Sequence, residues 1–132
     1  METNDKDELF IIKASLEVAL RRISNIIKNN DLENDKGESI LAEICRYGKI
    51  SDMDLCGLTR KSNIIFYRRI ACYLLTDYCS WSQDKIANRL DLKSHCTVLF
   101  HRNKMRAWMI QPRYAPYEVL TATRNIINNL GL

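Results

Sequence analysis

Three features of the 132-residue chain predict an all-α fold: a helix-turn-helix domain with an added long N-terminal amphipathic helix and a C-terminal helix. Glycine and proline number only four and two, too few for a turn-rich β architecture and favourable to long helices. Apolar residues recur at three- and four-residue steps along most of the chain, the period of a helix with one buried face. In the second half, two short stretches of that kind are separated by only three or four residues, which is helix-turn-helix grammar. The length fits one small domain plus an appendage, and 46% hydrophobic with 27% charged residues is an ordinary globular composition.

Taken in order, Leu9, Ile12, Leu16, Ala19, Ile23 and Ile26 alternate steps of three and four, with Phe10, Ile11, Leu20 and Ile27 widening the stripe. They predict an amphipathic helix from about Asp5 to Asn29, N-capped by Asn4 or Asp5. This spacing serves equally a helix packed on its own domain and a dimer seam. The polar run Asn29 to Gly37 reads as a linker, and a second helix is expected from Ser39 to Gly48 with Ile40, Leu41, Ile44 and Cys45 inward. Ser51 to Leu55 reads as a short capped turn closed by Gly57. A long helix follows from Ser62 to about Cys79, its apolar face built on Ile64, Ile65, Ile70, Ala71, Tyr73, Leu74 and Tyr78.

Ser82 N-caps a short helix with Ile86, Ala87 and Leu90 inward. Asp91-Leu92-Lys93 makes a tight turn without glycine, and Ser94 opens another helix from His95 to about Met109 with Val98, Leu99, Met105 and Trp108 inward. Beyond Gln111-Pro112, Tyr117 to Leu130 reads as a terminal helix that packs back on the domain or on a second copy. The expected divisions are 1–36, an N-terminal helix and polar linker; 37–113, the helix-turn-helix domain; and 114–132, the C-terminal helix. Trp81 and Trp108 are assigned to the core.

Charge is segregated. Residues 1–59 carry 8 basic and 12 acidic side chains, residues 60–113 carry 11 and 3, and residues 114–132 carry one of each. The overall +4 thus conceals a +8 block, which suits a polyanion such as nucleic acid, with anionic membrane or a plain solvated face as the other readings. The five cysteines are odd in number and lack C-x-x-C spacing, so reduced thiols of an intracellular protein are expected. No metal is expected, because His95 and His101 stand in no structural zinc pattern with those cysteines. The acidic start METNDKDE and the lack of a long uncharged apolar run argue against a signal peptide and a membrane span.

One stretch is more specific. Arg68-Arg-Ile-Ala-Cys-Tyr-Leu74, then Ser82, then Ile86-Ala87, then Lys93-Ser-His-Cys-Thr-Val-Leu99, resembles the C-terminal DNA-binding domain of the bacterial replication initiator DnaA, a Trp-repressor-like helix-turn-helix. That family writes R-Q-I-A-M-Y-L, S-L-x-E-I-G and R-D-H-T-T-V-L. The correspondence runs without a gap from Asp54 to Lys104 and more loosely back to Ser39, about half the chain. Ser94 stands for the family's aspartate, Cys96 for its first threonine, Asp91-Leu92 for Gly-Gly and Ala87 for glycine.

The resemblance implies double-stranded DNA as partner. Lys93, Ser94, His95, Cys96 and Thr97 would face the major groove, Arg68 would reach the minor groove, and Arg60, Lys61, Arg69, Lys85 and Arg102 would meet the backbone. These residue types suit those roles. Histidine donates to purine N7 or O6, a threonine methyl touches a thymine methyl, and arginine gains from a narrow minor groove. The expected function is a sequence-specific DNA-binding accessory to replication initiation or transcription regulation, cytoplasmic and bacterial or phage-encoded.

No enzyme, nucleotide or other cofactor is expected. Glu43 stands where a phosphate loop ending in Gly48-Lys49 would need its first glycine, the length leaves no room for an ATPase domain, and adjacent His95 and Cys96 point about 100° apart on a helix. The competing reading is a protein-interaction or dimerisation module that uses the acidic N-terminal helix, with a homodimer as its simplest form.

Overall fold

The computed structural model describes the backbone of residues 2–57 and 60–132, and the side chains of residues 12–25, 35–57 and 60–132. The described residues form six α-helices, α1 (Glu2–Gly48), α2 (Asp52–Leu55), α3 (Ser62–Asp77), α4 (Gln83–Arg89), α5 (His95–Ile110) and α6 (Tyr117–Leu130), with one 3-10 turn, Pro112–Tyr114, between α5 and α6. Among the described residues there is no strand. The all-α expectation holds. The chain divides into two compact units, Met1–Asn34 and Asp35–Leu132.

The first unit is helical from Glu2, so Asn4 and Asp5 lie inside the helix rather than at its cap. Every described side chain in it is exposed, including Ile12, Leu16, Leu20 and Ile23, each more than half accessible. The apolar stripe on residues 12–25 therefore has no cover within its own unit.

The expected linker is a correction. Residues 29–37 are helical, and Ser39 lies inside α1 rather than opening a second helix. A helix already nucleated adds residues one bond at a time, so asparagines and aspartates costing at most about 0.7 kcal/mol each do not break it without a proline. Gly37 has a different reason to be glycine. It is buried, and a β-carbon there would run into the indole of Trp81. Gly48 is a related case, because its β-carbon would fall 2.8 Å from the Tyr67 ring. It is the last helical residue, and the left-handed step falls on Lys49, at φ 51°.

The second unit closes around one core. The end of α1 contributes Ile40, Leu41 and Ile44, α3 contributes Ile70, Leu74 and Leu75, α4 contributes Ile86, α5 contributes Val98 and Met105, and α6 contributes Ile126, all at most 1% exposed. Trp81 and Trp108 join it, as expected. Ile65 on α3 and Tyr78 at its C-cap are only half-buried, and so is Leu99 on α5. The C-terminal helix packs back on this unit. Val119, Leu120 and Ala122 are buried, Asn125 Nδ2 donates to the Tyr47 hydroxyl at 3.0 Å, and Asn129 Nδ2 donates to Glu43 Oε1 at 3.0 Å. Gly131, at φ 69°, ends it.

Helix boundaries obey the local chemistry. Ser51 and Asp54 form a reciprocal capping box on α2, and Ser82 Oγ accepts from Lys85 N–H at 3.1 Å to start α4. The turn between α4 and α5 needs one left-handed residue, and Asp91 supplies it at φ 53°. Aspartate is among the few non-glycine types that tolerate this region, so the turn closes without glycine.

Candidate functional site

Three contacts fix the α4–turn–α5 unit against the rest, and one closes the turn itself. Arg89, at the end of α4, donates from Nε and Nη2 to Glu38 and from both Nη atoms to Asp52, at 2.8–3.3 Å. Those two carboxylates hold its guanidinium well above its ordinary pKa. Gly57 N–H donates to Leu90 O at 3.1 Å, and Leu92 N–H donates to Ala87 O at 2.9 Å. The α3–α5 packing places Met105 and Val98 in the core and turns the first residues of α5 outward.

Lys93, Ser94, His95 and Cys96 are exposed at that outward end, and Thr97 is half-buried. Ser94 occupies the N-cap position, yet its hydroxyl makes no capping bond. The start of a helix carries partial positive charge and N–H groups that favour an anion. Two depressions flank it. One, a shallow cleft of about 350 Å³, is lined by Arg60, Arg68, Arg69, Asp91, Lys93, Thr97 and His101. The other lies beside Trp81, Ser82, Asp84 and His95. Thus Arg60, Arg68, Arg69, Lys93 and Thr97 share one concavity, while His95 faces the opposite side. There its Nδ1 is 3.7 Å from Asp84 Oδ1, and its Nε2 is 3.7 Å from Cys96 Sγ.

The basic residues named from the sequence fall into distinct settings. Arg60 and Lys61 are exposed at the start of α3. Arg102 is half-buried and bonds Asn103 Oδ1 from Nε and Nη2. Lys85 holds its Nζ 4.1 Å from the centre of the Trp81 ring. Arg69 is half-buried, its guanidinium 5.7 Å from the Phe100 ring centre and 5.3 Å from that of Trp108. Arg68 is buried at 5% exposure. Its Nε donates to Leu55 O at 2.6 Å and its Nη2 to Asp54 O at 3.3 Å, so it ties α3 to the carbonyl end of α2.

Three residues to which the sequence assigned no role in DNA binding shape the site. His101 is 8% exposed and accepts from Arg69 Nε through Nδ1 at 3.3 Å. Burial first, then the Arg69 and Arg68 charges, push its pKa down to about 4, so the ring is neutral near pH 7. Phe100 is 56% exposed on the same helix. Asp84 approaches His95. His101 lies on the buried stripe Val98, His101, Met105 and Trp108, at steps of three, four and three, so its position carries a helical signal that its polar type conceals. All five cysteines are unbridged, and burial pushes the Cys72 thiol up to about 12, as expected for a packing residue. Among the described residues no group of three or more His, Cys, Asp or Glu could hold a metal ion, and no helix is long and apolar enough to cross a membrane.

The family described as "Bacterial dnaA protein helix-turn-helix" matches residues 37–105, which span the end of α1 through most of α5. The chain is 35% identical over 89 residues to the chromosomal replication initiator protein DnaA of Cutibacterium acnes, covering 67% of this chain and 18% of that protein. It is 32% identical over 92 residues to the DnaA of Lacticaseibacillus casei, covering 70% and 20% respectively, and 28% identical over 98 residues to that of Roseiflexus castenholzii, covering 74% and 20%. The chain thus spans about a fifth of the length of these relatives. With the matched segment coinciding with the α2–α5 framework described above, the chain belongs to the bacterial DnaA helix-turn-helix family.

Proposed function

We propose that the chain binds double-stranded DNA through α5 in the major groove, sequence-specifically and without ATPase activity, as an accessory to replication initiation or transcription regulation in the cytoplasm of a bacterium or of a phage host. The observation that carries this reading is the exposed start of α5, Lys93 to Cys96, set beside a cleft lined by Arg60, Arg69 and Lys93. Lys93, Ser94, His95, Cys96 and Thr97 meet base edges. Ser94 brings a hydroxyl not used for capping, His95 a ring donor, and Thr97 a methyl group. Arg60, Lys61, Arg69, Lys85 and Arg102 meet phosphates, which sets register rather than sequence. Arg68 takes the minor-groove role only by leaving the Leu55 and Asp54 carbonyls for the cleft it lines.

Titrating labelled duplex at several salt concentrations tests this reading. Five phosphate contacts on duplex DNA give a slope of about −4.5 in log K against log salt. His95→Ala with Thr97→Ala lowers preference for a selected site more than affinity for random duplex. Absence of binding at low salt overturns the reading.

A second reading concerns the first unit. Ile12, Leu16, Leu20 and Ile23 are 52–62% exposed, on a helix whose Leu9-to-Ile26 spacing is that of a two-stranded seam. A homodimer through this helix buries that stripe and brings two DNA-binding units onto one duplex. Light scattering at high concentration returns twice the 15.4 kDa chain mass if so, and a monomer overturns it.

A further inference from the structure

Phe100 is the one large apolar side chain on α5 that is more than half exposed before the helix's last residue, at 56%. It follows Cys96 by four residues, so it stands one turn along the same face of α5, about 6 Å further on. Its ring is not adrift. The Arg69 guanidinium lies 5.7 Å from its centre, and the His101 ring meets it edge-on at 5.8 Å, so its position is set before any ligand arrives. On α5 around it, Arg102, Asn103 and Lys104 are polar or charged, which makes it a single apolar contact among cations rather than part of a protein-docking patch.

We propose that Phe100 reads the C5 methyl group of a thymine in the major groove, extending the reading surface beyond the Lys93-to-Thr97 turn. This rests on the duplex-DNA reading given above. A phenyl ring can accept or donate nothing at a base edge, and the thymine methyl is the one apolar feature that the major groove offers. With α5 along the groove, about 6 Å of helix rise corresponds to roughly two base-pair steps of 3.4 Å. Phe100 therefore addresses a base pair about two steps from that met by Cys96. The Arg69 contact holds the ring at little entropic cost, and Arg69 remains beside it to face the phosphates.

The test uses the full chain on a duplex selected from a random pool, with each thymine replaced in turn by deoxyuridine, which lacks only the methyl group. Wild type is expected to lose about fourfold in affinity at the thymine under Phe100, the worth of one buried methyl. Phe100→Ala makes that position indifferent to the replacement, and Phe100→Leu retains part of the effect. Thr97→Ala silences a different position. Circular dichroism and thermal midpoints establish that each variant is folded; should the alanine variant melt, the leucine variant decides by its graded effect. A profile unchanged in Phe100→Ala, or a site with no methyl-sensitive thymine, overturns the proposal while leaving DNA binding intact. Failure of wild type to bind any duplex overturns both.

Discussion

Arg69 Nε donates to His101 Nδ1 across 3.3 Å, and this bond joins α3 to α5 directly beneath the surface that carries Lys93 and Thr97. The bond requires the imidazole to be an acceptor, hence neutral. A proton on His101 would remove the acceptor and set a second cation against Arg69, with Arg68 close by. The floor of the site is therefore built on a group whose charge state is set by the fold.

Stability is expected to depend on pH through His101. Its pKa falls from 6.5 in the unfolded chain to about 4 in the folded one, so between these values the unfolded state binds more protons and stability rises with pH. The contribution is complete above about pH 6.5 and is lost as pH falls toward 4, amounting to about 2 kcal/mol after allowing for partial solvent access. Urea melts across that window measure it. His101→Gln, which keeps an acceptor for Arg69 but cannot be protonated, is expected to flatten the profile relative to wild type. An unchanged slope would show that other groups carry it.

Arg68 is expected to matter to folding before it matters to binding. Its guanidinium satisfies the Leu55 and Asp54 carbonyls at the end of a four-residue helix that is otherwise held by the buried Leu55 side chain, its capping box and the Arg89 bonds to Asp52. Arg68→Met leaves those acceptors poorly paired and removes charge-assisted bonds worth about 2–3 kcal/mol in total. Chemical denaturation measures the loss. A change under about 0.5 kcal/mol would mean that the carbonyl contacts hold little and that the residue is available to DNA at no cost to the fold.

The difference between what periodicity reveals and what it misses is clearest at Arg68 and Gly37. Helical spacing locates α3, α5 and α6 within a residue or two and names most of the core, because burial imposes a regular stripe on the sequence. Arg68 is buried on the same stripe, yet its type reads as surface charge, since only the position of the α2 carbonyls makes an interior guanidinium tolerable. The run through Gly37 reads as linker because polar residues and a glycine resemble loop composition. What calls for glycine there is the Trp81 ring, 44 positions later in the chain, which fills the space of a side chain and which no local window sees. At the site, residue types and resemblance pick out the Lys93-to-Thr97 turn. The separation of His95 from the Arg60 cleft depends on how α4 and α5 cross, and that is legible only in three dimensions.

Gly37→Ala sets propensity against packing. Alanine stabilises a helix interior by about 1 kcal/mol over glycine, so an exposed site would gain from the change. At Gly37 the new β-carbon collides with a rigid indole that is itself 5% exposed. Overpacking of this kind costs about 1–3 kcal/mol, and displacing Trp81 also disturbs the Lys85 contact on its ring. A net loss of about 1–2 kcal/mol in a urea melt is expected. A gain would mean that the helix and the indole slide apart without penalty.

Asp91 separates backbone from charge. It holds the left-handed step of the turn at φ 53° and also lines the cleft with Arg60, Arg69 and Lys93. Asp91→Gly relieves the β-carbon strain at some cost in unfolded-state entropy, for a net gain of at most about 1 kcal/mol. Asp91→Asn tolerates the same conformation and is expected to leave stability within about 0.5 kcal/mol. Both remove one negative charge from the cleft, so both are expected to bind duplex DNA about two- to fivefold tighter at low salt, an advantage that fades as salt screens it. Equal affinity of Asp91→Asn and wild type at 50 mM salt would place the DNA backbone away from this cleft. A gain shared by both variants ties the turn between α4 and α5 to the phosphates, whatever the backbone effect of the glycine.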